Sequence, residues 1–477
     1  MAILLLNRLI KLPGVFSLCM NLPAIQAALI KVTGVFSYKR KEISRFTEIG
    51  YDTIPLSEQA APAACEDIPA WRRMQADNTR RFYKDTYYRE FASLMLTGDA
   101  EDDNMRALHR RRSFDLILFT GTRGEPRQTR VTCTAQELFL FQNETGILSL
   151  TFQPEKLDFQ QISDMIHGLR SFDTRVSYLD EEYTLHAFIS STLMANLPLR
   201  GGNVQADDYS GSKFKIYSVI STVEPDDGSC YSRDNLVYEI GTGSRIGELS
   251  GNGYNAPSAQ YYEALMANSI KVFRNYTGLA LLDSFTIIGQ DVYKAEEDNY
   301  YVHKTYNRVY FSIYVFNLYL RYNIFRFNAI FSEDPVKTRD EFQQFLNRYN
   351  FSHISFNFLP NIFYKKIHEA LGIDDEVAQF EKRLIGLATH LQEEQEKRQA
   401  TLLGIISLLT GLSSANDIID LLEGGRNSLG LQSTVFYGLL LLLIILLAMP
   451  LLAYLFPTAT RKLMKKYGKK AKRKVRK

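Results

Sequence analysis

Two periodicities divide this chain. Short runs rich in β-branched and aromatic residues fill much of its first part: Phe114–Phe119, Thr129–Thr134, Leu138–Phe141 and Ile147–Phe152. Gly121, Gly124, Pro126 and the Asn143-Glu144-Thr145-Gly146 turn punctuate these runs. They predict strands joined by hairpins, hence a sheet at least partly antiparallel. Phe214–Ile220 and Leu236–Ile240 predict further strands. Residues 70–96, from Trp71 through Phe82 and Tyr87 to Phe91, predict an amphipathic helix, as does Ile162–Phe172. A helix opened by Ser258 is expected over 257–277. Val309–Phe331 is crowded with Tyr and Phe, but Arg321 and Arg326 leave only 12 uncharged residues at its start. That length suits a buried core helix better than a membrane span.

From Ile373 the period becomes helical. Ile373, Val377, Phe380, Leu384, Leu387 and Leu391 are spaced 4, 3, 4, 3, 4, which is a heptad seam. The frame continues through Glu394, Arg398 and Thr401 to Ile405, Leu408, Leu412 and Ala415. Such a seam either packs on its own domain or joins helices of several subunits. Two uncharged stretches follow, Gln399–Asn416 of 18 residues and Thr434–Phe456 of 23. The second would run about 35 Å as a helix, enough to cross a bilayer. Both are expected here as transmembrane spans, with 417–433 as a short acidic outer loop.

Charge supports that reading. Residues 461–477 carry 11 Lys or Arg and no acid. The formal net charge is +3, so residues 1–460 hold +3 less 11, or −8. A basic tail beside a span reads as a cytoplasmic anchor facing anionic lipid, with no direct nucleic-acid partner expected. Cys19, Cys65, Cys133 and Cys230 form no metal or disulfide pattern, which fits a reducing compartment. Met1–Phe36 is apolar and is read as docked on the body or the membrane surface, with a cleaved signal or an extra span as alternatives. Gly241-Thr-Gly243-Ser-Arg-Ile-Gly247 follows an expected strand but is one residue too long for a dinucleotide fingerprint. A hairpin loop is the better reading, and Arg245 is a candidate to meet a phosphate. No catalytic grouping is discernible, so an enzyme is not expected.

The first stretch carries Gly404, Ser407, Thr410, Gly411, Ser413 and Ser414, whereas the second is nearly all aliphatic. Small and hydroxylic residues line wet pores or permit close packing. Ser407, Thr410 and Ser414 are therefore pore-lining candidates. Asn416, Asp417, Asp420 and Glu423 are candidates for an ion entrance. An α/β body, a long stalk, two C-terminal spans, a short acidic loop and a basic tail resemble the CorA family of divalent-cation channels. Glu137–Phe152 resembles that family's strand-turn-strand. Ser414-Ala415-Asn416 stands where the family has Gly-Met-Asn, which puts magnesium selectivity in doubt. The departed motif on an enlarged body resembles the divergent CorA-like proteins associated with type III CRISPR systems. That resemblance implies a membrane effector switched by a nucleotide second messenger, such as an S-adenosylmethionine–AMP conjugate.

The expected fold is thus an α+β cytoplasmic domain with a mixed, partly antiparallel sheet, a long stalk helix and a C-terminal two-helix transmembrane hairpin. Its parts are an apolar segment (1–50), the α/β domain (51–372), the stalk (373–398), a first span (399–416), the outer loop (417–433), a second span (434–456) and the tail (457–477). The expected protein is a multi-pass inner-membrane homo-oligomer, a pentamer by resemblance, with both termini cytoplasmic. It conducts cations such as Mg2+, gated by a nucleotide messenger. A constitutive divalent-cation transporter and a membrane-anchored scaffold are the alternatives. Arg123, Arg127, Lys213 and Arg245 are the candidate ligand-binding residues.

Overall fold

The computed structural model describes residues 22–53, 85–95, 105–110, 113–122, 125–154, 157–194, 196, 213–223, 231–250, 256–293, 305–429 and 438. The strands are β1 (Ala24–Ser37), β2 (Asp52–Thr53), β3 (Met105–Arg110), β4 (Phe114–Thr122), β5 (Glu125–Phe141), β6 (Thr145–Phe152), β7 (Arg175–Tyr178), β8 (Glu181–Thr184), β9 (Lys215–Val223), β10 (Tyr276–Ala280) and β11 (Ser284–Gly289). The helices are α1 (Ile43–Glu48), α2 (Arg89–Met95), α3 (Phe159–Arg170), α4 (Leu185–Phe188), α5 (Arg233–Thr242), α6 (Ala259–Met266), α7 (Phe311–Ile330), α8 (Pro335–Tyr349), α9 (Phe358–Ala370) and α10 (Ile373–Leu429).

One mixed sheet runs β10-β11-β9-β1-β6-β5-β4-β7-β8, with β3 and β2 added beside β5. β9 and β11 are parallel, and the other pairs are antiparallel. The mixed, partly antiparallel sheet matches the pattern of alternation in the sequence, and the β5–β6 hairpin matches the expected strand-turn-strand. β1 was not legible. The apolar N-terminal segment was read as peripheral, yet its second half is a central strand between β9 and β6. Its alternation is masked because both faces of a central strand are covered.

Period two sorts β1 onto two layers. Ile30 and Val32 join an aliphatic core with Ile162, Met165, Ile166 and Leu169 of α3 and with Leu236 and Ile240 of α5. Lys31, between them, faces the other layer, where its Nζ lies 4.3 Å from the Phe311 ring of α7. That second layer is aromatic. Phe141 stacks on Tyr319 at 3.9 Å, and Tyr217 meets Phe311 and Tyr314. α7 is buried along most of its length, as its aromatic crowding predicts.

Four expectations need correction. Leu236–Ile240 is helical, part of α5. Leu236, Val237 and Ile240 make an i, i+1, i+4 set buried on one helix face, and Gly243 at φ +72° stops the helix in a left-handed cap. The helix capped by Ser258 ends at Met266, and Tyr276–Ala280 is strand β10. Met1–Leu12, most of residues 70–88, the span 434–456 and the tail 457–477 lie outside the described residues or largely so.

The third correction concerns the membrane hairpin. Among the described residues no helix is long and apolar enough to cross a membrane. Gln399–Asn416 is diluted by its Gly, Ser and Thr positions, and α10 runs without a break from the stalk through it. The fourth is the outer loop: α10 continues from Asp417 to Leu429, so those residues are helix. Neither a transmembrane hairpin nor a multi-pass membrane localisation is therefore supported.

The chain divides into two compact units, residues up to Phe380 and residues from Glu381. The root of α10 belongs to the first. Gly372, at φ +62°, separates it from α9. Ile373 and Phe380 are buried, Phe380 between the rings of Phe331 and Phe342. Asn328 Nδ2 donates to Glu376 Oε2 at 3.1 Å. In the second unit, Leu391, Leu402, Leu403, Ile405, Ile406 and Leu409 are all exposed.

Candidate functional site

A cluster of cations forms where β9 and β11 begin together. Because these strands are parallel, Lys215 and Asp283 stand side by side at the same sheet end. The Lys215 ammonium donates to Asp283 Oδ1. Arg170, the last residue of α3, donates through Nη2 to Asp283 Oδ2 at 2.8 Å. Its Nη1 donates to the Thr242 carbonyl at the end of α5, 2.7 Å away. A cation at a helix C-terminus meets its unpaired carbonyls and negative dipole end.

The alternation of β9 explains the rest. Phe214 and Ile216 turn into the aliphatic core, so Lys213 and Lys215 share the opposite face. Both line a small cavity of about 30 Å³ with Gly34 of β1 and Phe172. Leu318, Arg321 and Tyr322 of α7 close it, their 3- and 4-residue spacing placing them on one helix face. Thr33, the cross-strand partner of Lys215, donates from Oγ1 to its carbonyl at 3.1 Å.

Electrostatics there are uneven. Burial pulls the Lys215 pKa below the ordinary lysine value; Asp283 opposes this, and Arg321 and Arg170 add to it. Burial would raise the Asp283 carboxyl, but Lys215 and Arg170 outweigh it and hold the group at about 2. Lys215 and Arg170 thus share one ionised carboxylate, and Lys213 and Arg321 line the cavity beside Lys215.

A second ionic group is centred on two enclosed residues. Lys31 Nζ donates to Glu137 Oε2 at 2.8 Å and to Thr151 Oγ1 at 3.0 Å, and Arg308 Nη1 donates to Glu137 Oε1 at 2.6 Å. Burial lowers the Lys31 pKa against the pull of Glu137. Lys31 and Glu137 are almost completely enclosed, so this pair is not open to a ligand, and Arg308 ties it to the turn that leads into α7. Cys133 is also buried, and burial pushes its thiol up to about 12, which keeps it unreactive.

The glycine-rich turn after α5 follows a helix, not a strand. Its amides are already used: Gly247 and Leu249 donate to Glu239 Oε1 at 2.9 and 3.1 Å, and Tyr231 Oη donates to the same oxygen at 3.0 Å. The chain's own carboxylate thus occupies the place an anion would take. Arg245 is exposed on this turn. A larger open cavity, about 350 Å³, lies beside β5 and is lined by Arg130, Thr132, Thr134, Gln153 and Met165. Arg130 and Thr132 are both committed to Asp115.

Of the ligand-binding candidates, the structure brings Lys213 into the basic cavity. Arg127 pairs with Asp164 at 2.8 Å on the surface, and Arg123 lies outside the described residues. Arg170, Lys215, Asp283 and Arg321 were missed. The Lys213-x-Lys215 alternation at a strand start was the one local signal; the other three arrive from distant segments. The pore candidates Ser407, Thr410, Ser414, Asn416, Asp417, Asp420 and Glu423 all lie along α10. Thr410 Oγ1 donates to the Ile406 carbonyl at 2.9 Å. Among the described residues no group of three or more His, Cys, Asp or Glu is placed to hold a metal ion. The chain matches no family model, no curated protein and no solved structure.

Proposed function

We propose that this chain is a non-catalytic, self-assembling binding protein. Copies join through α10 beyond Phe380, and the sheet domain of each copy receives a small ligand. The observation that carries this reading is the run Leu402, Leu403, Ile405, Ile406 and Leu409. These five apolar side chains lie exposed within eight residues of one helix. Leu402, Ile405, Ile406 and Leu409 stand at i, i+3, i+4 and i+7 and so form one apolar stripe, with Leu403 at its edge. The same stripe on another copy covers it best, so that two or more such helices bundle. The heptad frame leading into this segment supplies the register such a bundle needs. The ion-conducting pore of the CorA-like resemblance is left out of the proposal, because it needs the hairpin that the described residues do not support.

Replacing Leu402 and Ile406 together with Glu tests it by sedimentation. The two positions share a helix face. Burying charge in a bundle costs several kcal/mol per site, so the variant is expected to sediment as a single chain while the wild type does not. An assembly that survives both substitutions would overturn the reading.

A further inference from the structure

We propose that His368 of α9 is a proton-operated latch, whose ring fastens the first turn of α10 to α7 only when both of its nitrogens carry hydrogen. The latch lies within the unit that ends at Phe380 and needs neither the ligand nor the assembly given above.

Both ring nitrogens face acceptors. Nδ1 lies 3.1 Å from Asn317 Oδ1 of α7, and Nε2 lies 3.1 Å from Asp374 Oδ1 in the first turn of α10. The Asn317 amide has a fixed orientation. Its Nδ2 donates to the Ile313 carbonyl at 2.9 Å, so Oδ1 is the atom presented to the ring. A neutral imidazole offers one N–H and one lone pair. Nδ1 keeps the hydrogen, because Asn317 is fully buried and its oxygen would otherwise be left unpaired there. The neutral ring therefore points a lone pair at the Asp374 carboxylate, and the two repel. Only the imidazolium donates to both oxygens. Asp374 is free to answer: its side chain is 81% exposed, against 12% for His368. It turns to water when the ring is neutral and is held when the ring is protonated.

The surroundings set where the proton arrives. On its own helix the ring meets the Tyr364 phenol, with centroids 5.3 Å apart, and the Glu369 carboxylate. On α10 it meets Asp374, and on α7 the neutral Asn317 amide. Burial holds the Tyr364 phenol far above its ordinary value, so it stays neutral. Burial pulls His368 below its ordinary 6.5, and Asp374 and Glu369 draw it back part of the way. The unfolded chain thus takes this proton more readily than the folded one. The stabilisation from His368 is full above 6.5 and is lost as the pH falls, and the Asp374 contact limits that loss.

The test is magnetic resonance of the full chain carrying isotope-labelled histidine ring nitrogens, titrated from about pH 8 to about pH 5. His368→Gln identifies the signal. The neutral ring is expected to hold its hydrogen on Nδ1 and to titrate below 6.5. Asp374→Asn should lower that midpoint by about half a pH unit or more. Hydrogen exchange of residues 373–380, read by mass spectrometry and corrected for its ordinary pH dependence, should slow as the wild-type ring takes its proton. The same segment should show no slowing in Asp374→Asn, which keeps the fold because position 374 is exposed. A neutral ring with its hydrogen on Nε2, or exchange that does not follow the titration of His368, would overturn the proposal.

Discussion

Phe380 and Leu391 lie on one apolar frame of one helix, 11 residues apart, in opposite surroundings. Phe380 is fully buried between two aromatic rings, whereas Leu391 is 42% exposed. The same heptad spacing therefore serves two purposes. At the root of α10 it anchors the helix to its own domain. Further along, it leaves apolar surface exposed among the described residues. Periodicity alone reports that a face will be buried; it does not report what buries it.

The contrast is broken most severely at the root. Phe380→Ala should cost the sheet domain about 3–5 kcal/mol by opening a cavity. Leu391→Ala should change its stability by less than about 0.5 kcal/mol. Urea denaturation of both variants, followed by aromatic fluorescence, compares them, and equal losses would erase the distinction drawn here.

The body can also be tested where it buries charge. Glu137→Gln leaves Lys31 enclosed without its counter-ion and should destabilise by about 3–5 kcal/mol. Adding Lys31→Met should recover most of that loss, because an apolar side chain suits the same space. No recovery in the double variant would show that the pair does more than compensate itself.

A smaller effect comes from Asp283. Its carboxyl titrates at about 2 in the folded chain, below its ordinary 3.8. A depressed folded-state value means the unfolded chain binds protons more readily. The stability from this group is therefore full above 3.8 and is lost as pH falls toward 2. Asp283→Asn should lower stability near neutrality and flatten that acid limb. A denaturation midpoint with the wild-type pH dependence would contradict the assignment.

How much of this was legible in the sequence follows from where each residue's partners lie. The β5–β6 hairpin was readable because its alternation, turn residues and partner strand are contiguous. α7 was readable because aromatic crowding interrupted by Arg321 and Arg326 excludes a span and demands a core. β1 was not, since Lys31 and Gln26 break an otherwise apolar run and their partners arrive from far along the chain. α5 was misread because Val237 and Ile240 favour strands locally, and only packing beneath the sheet decides for helix. The basic cavity was half visible, as Lys213 and Lys215 alternate on one strand. Arg170 and Arg321 arrive from α3 and α7, which pack on opposite faces of the sheet. The start of the long helix at Ile373 was legible from its heptads; its continuation was not, because Asp417–Leu429 reads as a loop only if a membrane ends the helix before it.

The central claim is that the exposed apolar run of α10 is covered by other copies of the chain. Native mass measurement of the full-length wild type tests it most directly. The account predicts an integer multiple of 54.7 kDa that persists on dilution. A stable species of 54.7 kDa at every concentration would contradict it.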